Sequence, residues 1–321
     1  MKAIVYEKYG APDVLELKEV EKPVPKDNQV LVKIHAASVN PLDWHFMRGS
    51  PRMARLAFGL TKPKIKILGA DLAGTVEAVG AKVKDFQPGD EVFGNPKGLG
   101  ALAEYACVPE NGIVLKPANA SFEEAASIPV AAITALQGLR DYGKIQPGQR
   151  VLINGAAGGV GTFSVQIAKS FGAVVTGVCG TANLEMVKSI GADFVIDYTK
   201  EDFTKRDDRF DLILDNVGNR SVSDYRRILN AGGKCVIVGY TSPGLLLQHM
   251  FWGPVTSWVG EKVTSMGNAK PNRNDLMFLK ELVESGKVKP VIDRRYPLSE
   301  TAEAIRYLET GHARGKVVIT M

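Results

Sequence analysis

Residues Gly155-Ala-Ala-Gly158-Gly159-Val-Gly161 set the tightest limit on how this chain can fold. They follow a short apolar run, Val151-Leu-Ile-Asn154, and precede Val160, Phe163, Ile167, Ala168 and Phe171, which recur at helical spacing. Ala173-Val-Val-Thr-Gly-Val178 then reads as another strand. Strand, glycine-rich turn, amphipathic helix and strand in that order describe a βαβ unit. Its turn lets backbone N–H groups approach a pyrophosphate at the positive end of the helix. Gly155, Ala156, Gly158, Gly159, Val160 and Gly161 are therefore the first candidate dinucleotide contacts. Tight strand-helix packing without a ligand would also explain the glycines alone, but the order of elements favours the dinucleotide.

The alternation continues with a helix over Glu185 to Ile190 and strands over Phe194-Val-Ile196, Asp211-Leu-Ile-Leu214 and Lys234-Cys-Val-Ile-Val238. Such alternation predicts an α/β fold with a Rossmann-type, doubly wound parallel sheet. The first third differs: strand-like runs at Met1 to Tyr6, Leu31 to Ala36, Gly74 to Val79 and Glu91 to Phe93 lie between turn signals such as Pro88-Gly89-Asp90. Ser121-Phe-Glu-Glu124 has the form of a capping box and opens an alanine-rich run expected to continue past Pro129. Later, helices are expected at Leu276 to Ser285, stopping at Gly286, and at Glu303 to Leu308, stopping at Gly311. Lys316-Val-Val-Ile319 reads as a strand that could rejoin the β-rich part. A chain of 321 residues exceeds the usual single core, so two domains are expected.

Composition removes several function classes. The net charge of +5 is spread among acids rather than gathered on one stripe, so nucleic acid is not the expected partner. Cys107, Cys179 and Cys235 are far apart and form no C-x-x-C pair, which speaks against a disulfide framework or a cysteine zinc site. Met1 to Tyr6 lacks the features of a signal peptide, and Leu245 to Trp258 is too short and too interrupted to span a bilayer. The expectation is a soluble, cytoplasmic protein acting on a small molecule.

NAD-specific folds usually place an acid about 20 residues after the glycine turn, on the ribose hydroxyl. Here the corresponding turn is Cys179-Gly180-Thr181-Ala182-Asn183. Without a carboxylate there, and with hydroxyl and amide groups at Thr181 and Asn183, NADP(H) is the expected cofactor over NAD(H).

Taken together, Ser38-Val-Asn40-Pro-Leu-Asp43, Leu68-Gly-Ala-Asp-Leu-Ala-Gly74, Pro88-Gly-Asp-Glu-Val92, Gly155 to Gly161, Asp215-Asn-Val-Gly218 and Gly311-His-Ala-Arg-Gly-Lys316 are similar to the zinc-independent quinone oxidoreductases of the medium-chain dehydrogenase/reductase superfamily. The resemblance runs in order over nearly the whole chain. It implies a GroES-like catalytic domain formed by residues 1–122 and 292–321, a Rossmann NADP-binding domain over 123–291, an active site in a cleft and a homodimer. It further implies that Thr134 lies near the nicotinamide, Tyr198 near the 2′-phosphate, and Asn216, Gly239, Tyr240, Gly315 and Lys316 along the cofactor. Some relatives carry a lysine after the second Rossmann strand where this chain has Leu184, which leaves Lys200 as a candidate partner for the phosphate.

Zinc alcohol dehydrogenases of the same superfamily place a cysteine ligand and a His-Glu pair where this chain has Asn40 and Ala70-Asp71, so no metal ligands are expected. An acceptor that is already activated then fits better than a simple ketone, because a quinone or enone spreads the incoming charge onto oxygen. Asn40 is the candidate donor to that oxygen and Asp43 the group that orients it, although Asn-Pro-x-Asp is also an ordinary turn. His35, His45, His249 and His312 read as structural. The basic segment Arg48 to Lys66 reads as a solvated loop that could attract anionic substrates. The expected reaction is NADPH-dependent reduction of quinones or α,β-unsaturated carbonyls. The alternatives are an enoyl-thioester reductase, whose relatives place a tyrosine shortly after the Asn-Pro segment where residues 48–57 hold none, and a cofactor-binding protein without turnover.

Overall fold

Strand Gln29–Val39 organises the β-rich part because its length lets it serve three neighbours at once. Along one edge it pairs antiparallel with Tyr105–Pro109 near its start and with Lys316–Thr320 near its end; Asp71–Val79 runs along the other edge. The C-terminal strand thus rejoins the first sheet, as the sequence suggests. Ile292–Pro297 extends that sheet beside Lys316–Thr320, while Glu91–Gly94 and Ile113–Leu115 extend it on the other side. The apolar side chains of these strands, among them Val30, Val32, Ile34, Leu72 and Val317, form one core.

These relations are given by a computed structural model that describes residues 1–321 apart from 52–54, 97, 243, 246–247, 250–261 and 268. By their contacts the residues form two units. The first comprises Met1–Ala131, Pro271–Ser285 and Pro290–Met321; the second comprises Ala132–Lys270 and Gly286–Lys289. Helix Arg273–Glu284 therefore belongs with the first unit, whereas the sequence assigns it to a 123–291 domain. Asn119 Nδ2 donates to the Val283 carbonyl at 3.0 Å and the Ala118 N–H to Glu284 Oε1 at 3.2 Å, which tie the helix there.

The capping box at Ser121 forms: its hydroxyl accepts from the Glu124 N–H at 3.1 Å, and Glu124 Oε2 accepts from the Ser121 N–H at 2.9 Å. The alanine-rich run, however, is broken into Phe122–Ala126 and Pro129–Gln137. Proline lacks an N–H and disfavours helical backbone at the preceding residue, so Pro129 ends one helix and suits the first turn of the next.

In the second unit six parallel strands lie in the order Phe194–Asp197, Val174–Cys179, Arg150–Asn154, Phe210–Asp215, Leu229–Ile237, Lys262–Ser265. The direction of winding reverses between Arg150–Asn154 and Phe210–Asp215. In open α/β sheets of this kind ligands bind beyond the carboxyl ends of the strands at that reversal. The glycine turn follows the first of these strands and Asn216 follows the second. The edge strand Lys262–Ser265 is not foreseen in the sequence, having only Val263 as a strongly strand-forming apolar residue. Of Leu245 to Trp258, residues 246–247 and 250–258 lie outside the described residues, as do Arg52 to Ala54 of the basic segment. Among the described residues no helix is long and apolar enough to cross a membrane.

Candidate active site

In the second unit, Gly155 turns the chain with φ of 74°, a left-handed conformation that L side chains rarely adopt. Helix Gly159–Ser170 starts beyond it. A Cβ at Gly161 would strike the Gly155 carbonyl oxygen and stand 2.8 Å from Ala156 Cα, so helix and turn touch through bare backbone. At Gly158 the same Cβ would meet only the Gly155 oxygen at 3.6 Å. One glycine thus closes the turn, and the other keeps open the space before the helix N-terminus, whose first N–H groups have no intrahelical partner. Ala156 is buried and Val160 half-buried.

At the reversal the Asn216 N–H and Nδ2 both donate to the Asn154 carbonyl at 3.1 Å, and Asn154 Nδ2 donates to Asp215 Oδ1 at 2.7 Å. Asp215 also accepts from Tyr225 Oη and from the Val217 and Gly218 N–H groups. Asn216 Oδ1, by contrast, is buried without a hydrogen-bond partner, and so is Asn183 Oδ1. Buried polar atoms left in this way are costly unless a ligand or water completes them. Gly239 lies against Asn216, where an added Cβ would meet the Asn216 carbonyl. Tyr240 follows, its ring centroid 5.6 Å from that of His249. Thr134 is buried on the Pro129–Gln137 helix.

The Cys179 turn meets its neighbour strand. A Cβ on Gly180 would lie 3.4 Å from the Tyr198 hydroxyl, so Tyr198 stands over Gly180. The Thr181 hydroxyl donates to Asp197 Oδ2 at 2.5 Å, and the Thr199 N–H and hydroxyl donate to Asp197 Oδ1 at 3.0 and 2.7 Å. Lys200 Nζ lies 3.8 Å from Asp197 Oδ2 with its side chain 70% exposed. An acid therefore does stand beside this turn, supplied by the next strand. Its carboxyl is held below the usual range, chiefly by the Thr181 hydroxyl and then by Thr199, so it is an anion already committed to its neighbours. Burial pushes the Cys179 thiol up to about 11, which keeps it protonated and unreactive at neutral pH.

In the first unit, Asn40 caps helix Pro41–Arg48 and its backbone N–H donates to Asp43 Oδ2 at 2.8 Å. Asp43 Oδ1 accepts from the Gly69 N–H at 2.9 Å. Burial raises the Asp43 carboxyl to about 7 against the pull of these two amides. The Asn40 side chain is fully engaged: Nδ2 donates to Asp71 Oδ2 at 2.8 Å and to the Ser38 carbonyl at 3.4 Å, and Oδ1 accepts from Lys316 Nζ at 2.6 Å. Asp71 also accepts from the Ser38 hydroxyl at 2.8 Å and the Val130 N–H at 2.9 Å. Lys316 is buried next to Gly315, and burial draws its ammonium below the usual lysine range while Asp71 and Asp43 oppose the shift. The structure thus brings Asn40, Asp43 and Lys316 together with Asp71, which sequence reasoning did not count.

Two family models match the chain: one described as alcohol dehydrogenase GroES-like domain over residues 26–118, the other as zinc-binding dehydrogenase over residues 190–319. The chain is 41% identical to a 2-methylene-furan-3-one reductase of Solanum lycopersicum and 38% identical to an NADPH-dependent alkenal/one oxidoreductase, chloroplastic, of Arabidopsis thaliana. Each alignment covers 99% of this chain and 79% of the relative. The quinone oxidoreductase structure from Coxiella burnetii superimposes with a TM-score of 0.86 at 33% identity, covering 100% of this chain and 99% of that one. The chain belongs to the quinone oxidoreductase family of the medium-chain dehydrogenases/reductases. In this quinone oxidoreductase homologue the residues do not fit the metal that one model's description implies. Where ligands would stand there are an amide, two buried carboxylates and an ammonium already seated among them. No group of three or more His, Cys, Asp or Glu placed to hold a metal ion occurs among the described residues.

Proposed function

We propose that this chain reduces quinones or α,β-unsaturated carbonyl compounds with NADPH, without a metal. The observation that carries the reading is the glycine cradle: open space at Gly158 before a helix N-terminus, at the point where the parallel sheet reverses direction. Gly155 to Gly161 would hold the pyrophosphate, and Asn216 Oδ1 would find its missing donor on the bound cofactor. Asn183, Tyr198 and Lys200 would receive the 2′-phosphate, with Lys200 offsetting the charge of Asp197, and Thr181, whose hydroxyl hydrogen Asp197 holds, would line the same turn. Thr134, Gly239, Tyr240 and Gly315 complete the proposed cofactor contacts. Bound NADPH supplies the hydride. The acceptor class is supported by the relatives, one named an alkenal/one oxidoreductase and one a 2-methylene-furan-3-one reductase.

The three cysteines are all free, which accords with a cytoplasmic, reducing setting. Cofactor oxidation across a panel of quinones, enones and an enoyl thioester tests the proposal. Turnover with the first two classes is expected. Turnover with the thioester alone would move the assignment to enoyl reduction, and NADPH binding without any turnover would leave a binding protein.

A further inference from the structure

Single apolar side chains on a protein surface are ordinary, but a cluster of them beside charge of one sign calls for a partner. Leu56 is 75% exposed, Leu60 67% and Phe58 37%, and no other five-residue stretch among the described residues places three large apolar side chains at the surface. The turn that carries them is built rather than loose. The Gly59 N–H donates to the Arg55 carbonyl at 2.9 Å and the Lys64 N–H to the Phe58 carbonyl at 2.8 Å. The Tyr9 hydroxyl donates to the Gly59 carbonyl at 2.7 Å, and the Phe58 ring lies against Phe46 with centroids 4.3 Å apart. Phe58 is thus the inward anchor, while Leu56 and Leu60 stand out from a pinned turn.

The charge around them has one sign. From Trp44 to Ala70 there is no aspartate or glutamate. Arg48 is taken up by Glu309, Nη2 donating to Oε2 at 2.8 Å, and the Arg55 guanidinium donates to the Gly49 and Arg48 carbonyls, each at 3.0 Å. Lys62, Lys64 and Lys66 are all exposed and alternate with Pro63 and Ile65, which are buried and half-buried, so the three lysines share the outer side. A free anion would engage the lysines and leave the leucines idle. A bilayer with anionic headgroups over hydrocarbon uses both.

We propose that residues 55–66 are a docking surface for an anionic lipid bilayer, with Leu56 and Leu60 entering the headgroup layer and Lys62, Lys64 and Lys66 against its negative charge. Each lysine at such a surface is worth about fivefold in affinity, so attachment is peripheral and reversible.

The test is flotation of the full chain with vesicles of phosphatidylcholine alone or with about one third phosphatidylserine, and it requires no turnover, so it stands or falls apart from the proposed reduction. The unmodified protein should float with the anionic vesicles, not the neutral ones, and release as salt is raised from about 0.1 M to 0.5 M. The triple variant Lys62→Gln, Lys64→Gln, Lys66→Gln should bind roughly 100-fold more weakly. Leu56→Ser with Leu60→Ser should lose roughly tenfold. Melting temperatures report that the variants fold, and if the leucine pair does not, the lysine variant decides. Equal flotation with both vesicle types, flotation with neither, or variants that bind like the unmodified protein overturns the proposal. So does a mass by light scattering, without vesicles, that falls in the leucine variant, which would make the patch a contact with a second copy of the chain.

Discussion

Replacing Gly158 by alanine separates ligand geometry from folding. Gly158 has φ of −80° and ψ of 177°, extended backbone that any residue adopts, and its new Cβ would meet nothing nearer than the Gly155 oxygen at 3.6 Å. The unliganded fold should therefore be unharmed, and the reduced freedom of the unfolded chain should stabilise it by about 0.4 to 1 kcal/mol. The methyl group instead fills the space proposed above for a pyrophosphate at the helix N-terminus. Losing one charge-assisted hydrogen bond to a phosphate oxygen costs about 1.5 to 3 kcal/mol. The NADPH dissociation constant should accordingly rise roughly tenfold to 150-fold. Fluorescence titration of NADPH and thermal melting of the same sample give both quantities. Gly161→Ala should behave oppositely, because its Cβ collides with the Gly155 carbonyl and Ala156 backbone; overpacking of this kind costs about 1 to 3 kcal/mol, seen in melting before any ligand is added. If Gly158→Ala melts like the unmodified protein and binds NADPH equally well, the pyrophosphate does not pass this turn and the cofactor assignment loses its physical basis.

Gly180→Asp should reverse the preference for NADPH over NADH, since the new carboxylate would join Asp197 beside Tyr198 and repel a 2′-phosphate; an unchanged ratio of dissociation constants would remove this turn from cofactor selection. Asp43 gives a pH signature. Its folded carboxyl is raised by burial to about 7, so its contribution to stability is fully present below the unfolded value near 4 and is lost as pH rises through about 7. About three pKa units correspond to about 4 kcal/mol over that window. Urea unfolding at a series of pH values should show this decline in the unmodified protein but not in Asp43→Asn, and equal slopes in the two would contradict it. A chelator should leave turnover unchanged, and loss of activity restored by added zinc would overturn the reading of the Asn40 cluster.

Much of this architecture is legible along the chain because its signals are local. The glycine turn at Gly155 to Gly161, the capping box at Ser121 and the alternation of strands and helices each act over a few residues. The break before Pro129 is equally local, and the alanine content simply hides it. What the sequence withholds arises from distant approach. Lys316 meets Asn40 across 276 positions, and Asp197 reaches Thr181 only because parallel pairing sets its strand beside Val174–Cys179. Asn40 shows the difference most clearly. Its residue type and position suggest a hydrogen-bond donor, and the amide is one, but its hydrogens are spent on Asp71 and Ser38 while its oxygen orients a lysine.

The central claim, hydride transfer from NADPH to an activated acceptor, is tested most directly by isotope tracing. The protein is given NADPH carrying deuterium at the transferable position and an enone, in ordinary water, and the product is analysed by mass spectrometry and NMR. The account predicts the saturated carbonyl compound with one deuterium on the β-carbon and ordinary hydrogen on the α-carbon. An allylic alcohol with deuterium on the carbonyl carbon, or no deuterium in the product at all, would contradict it.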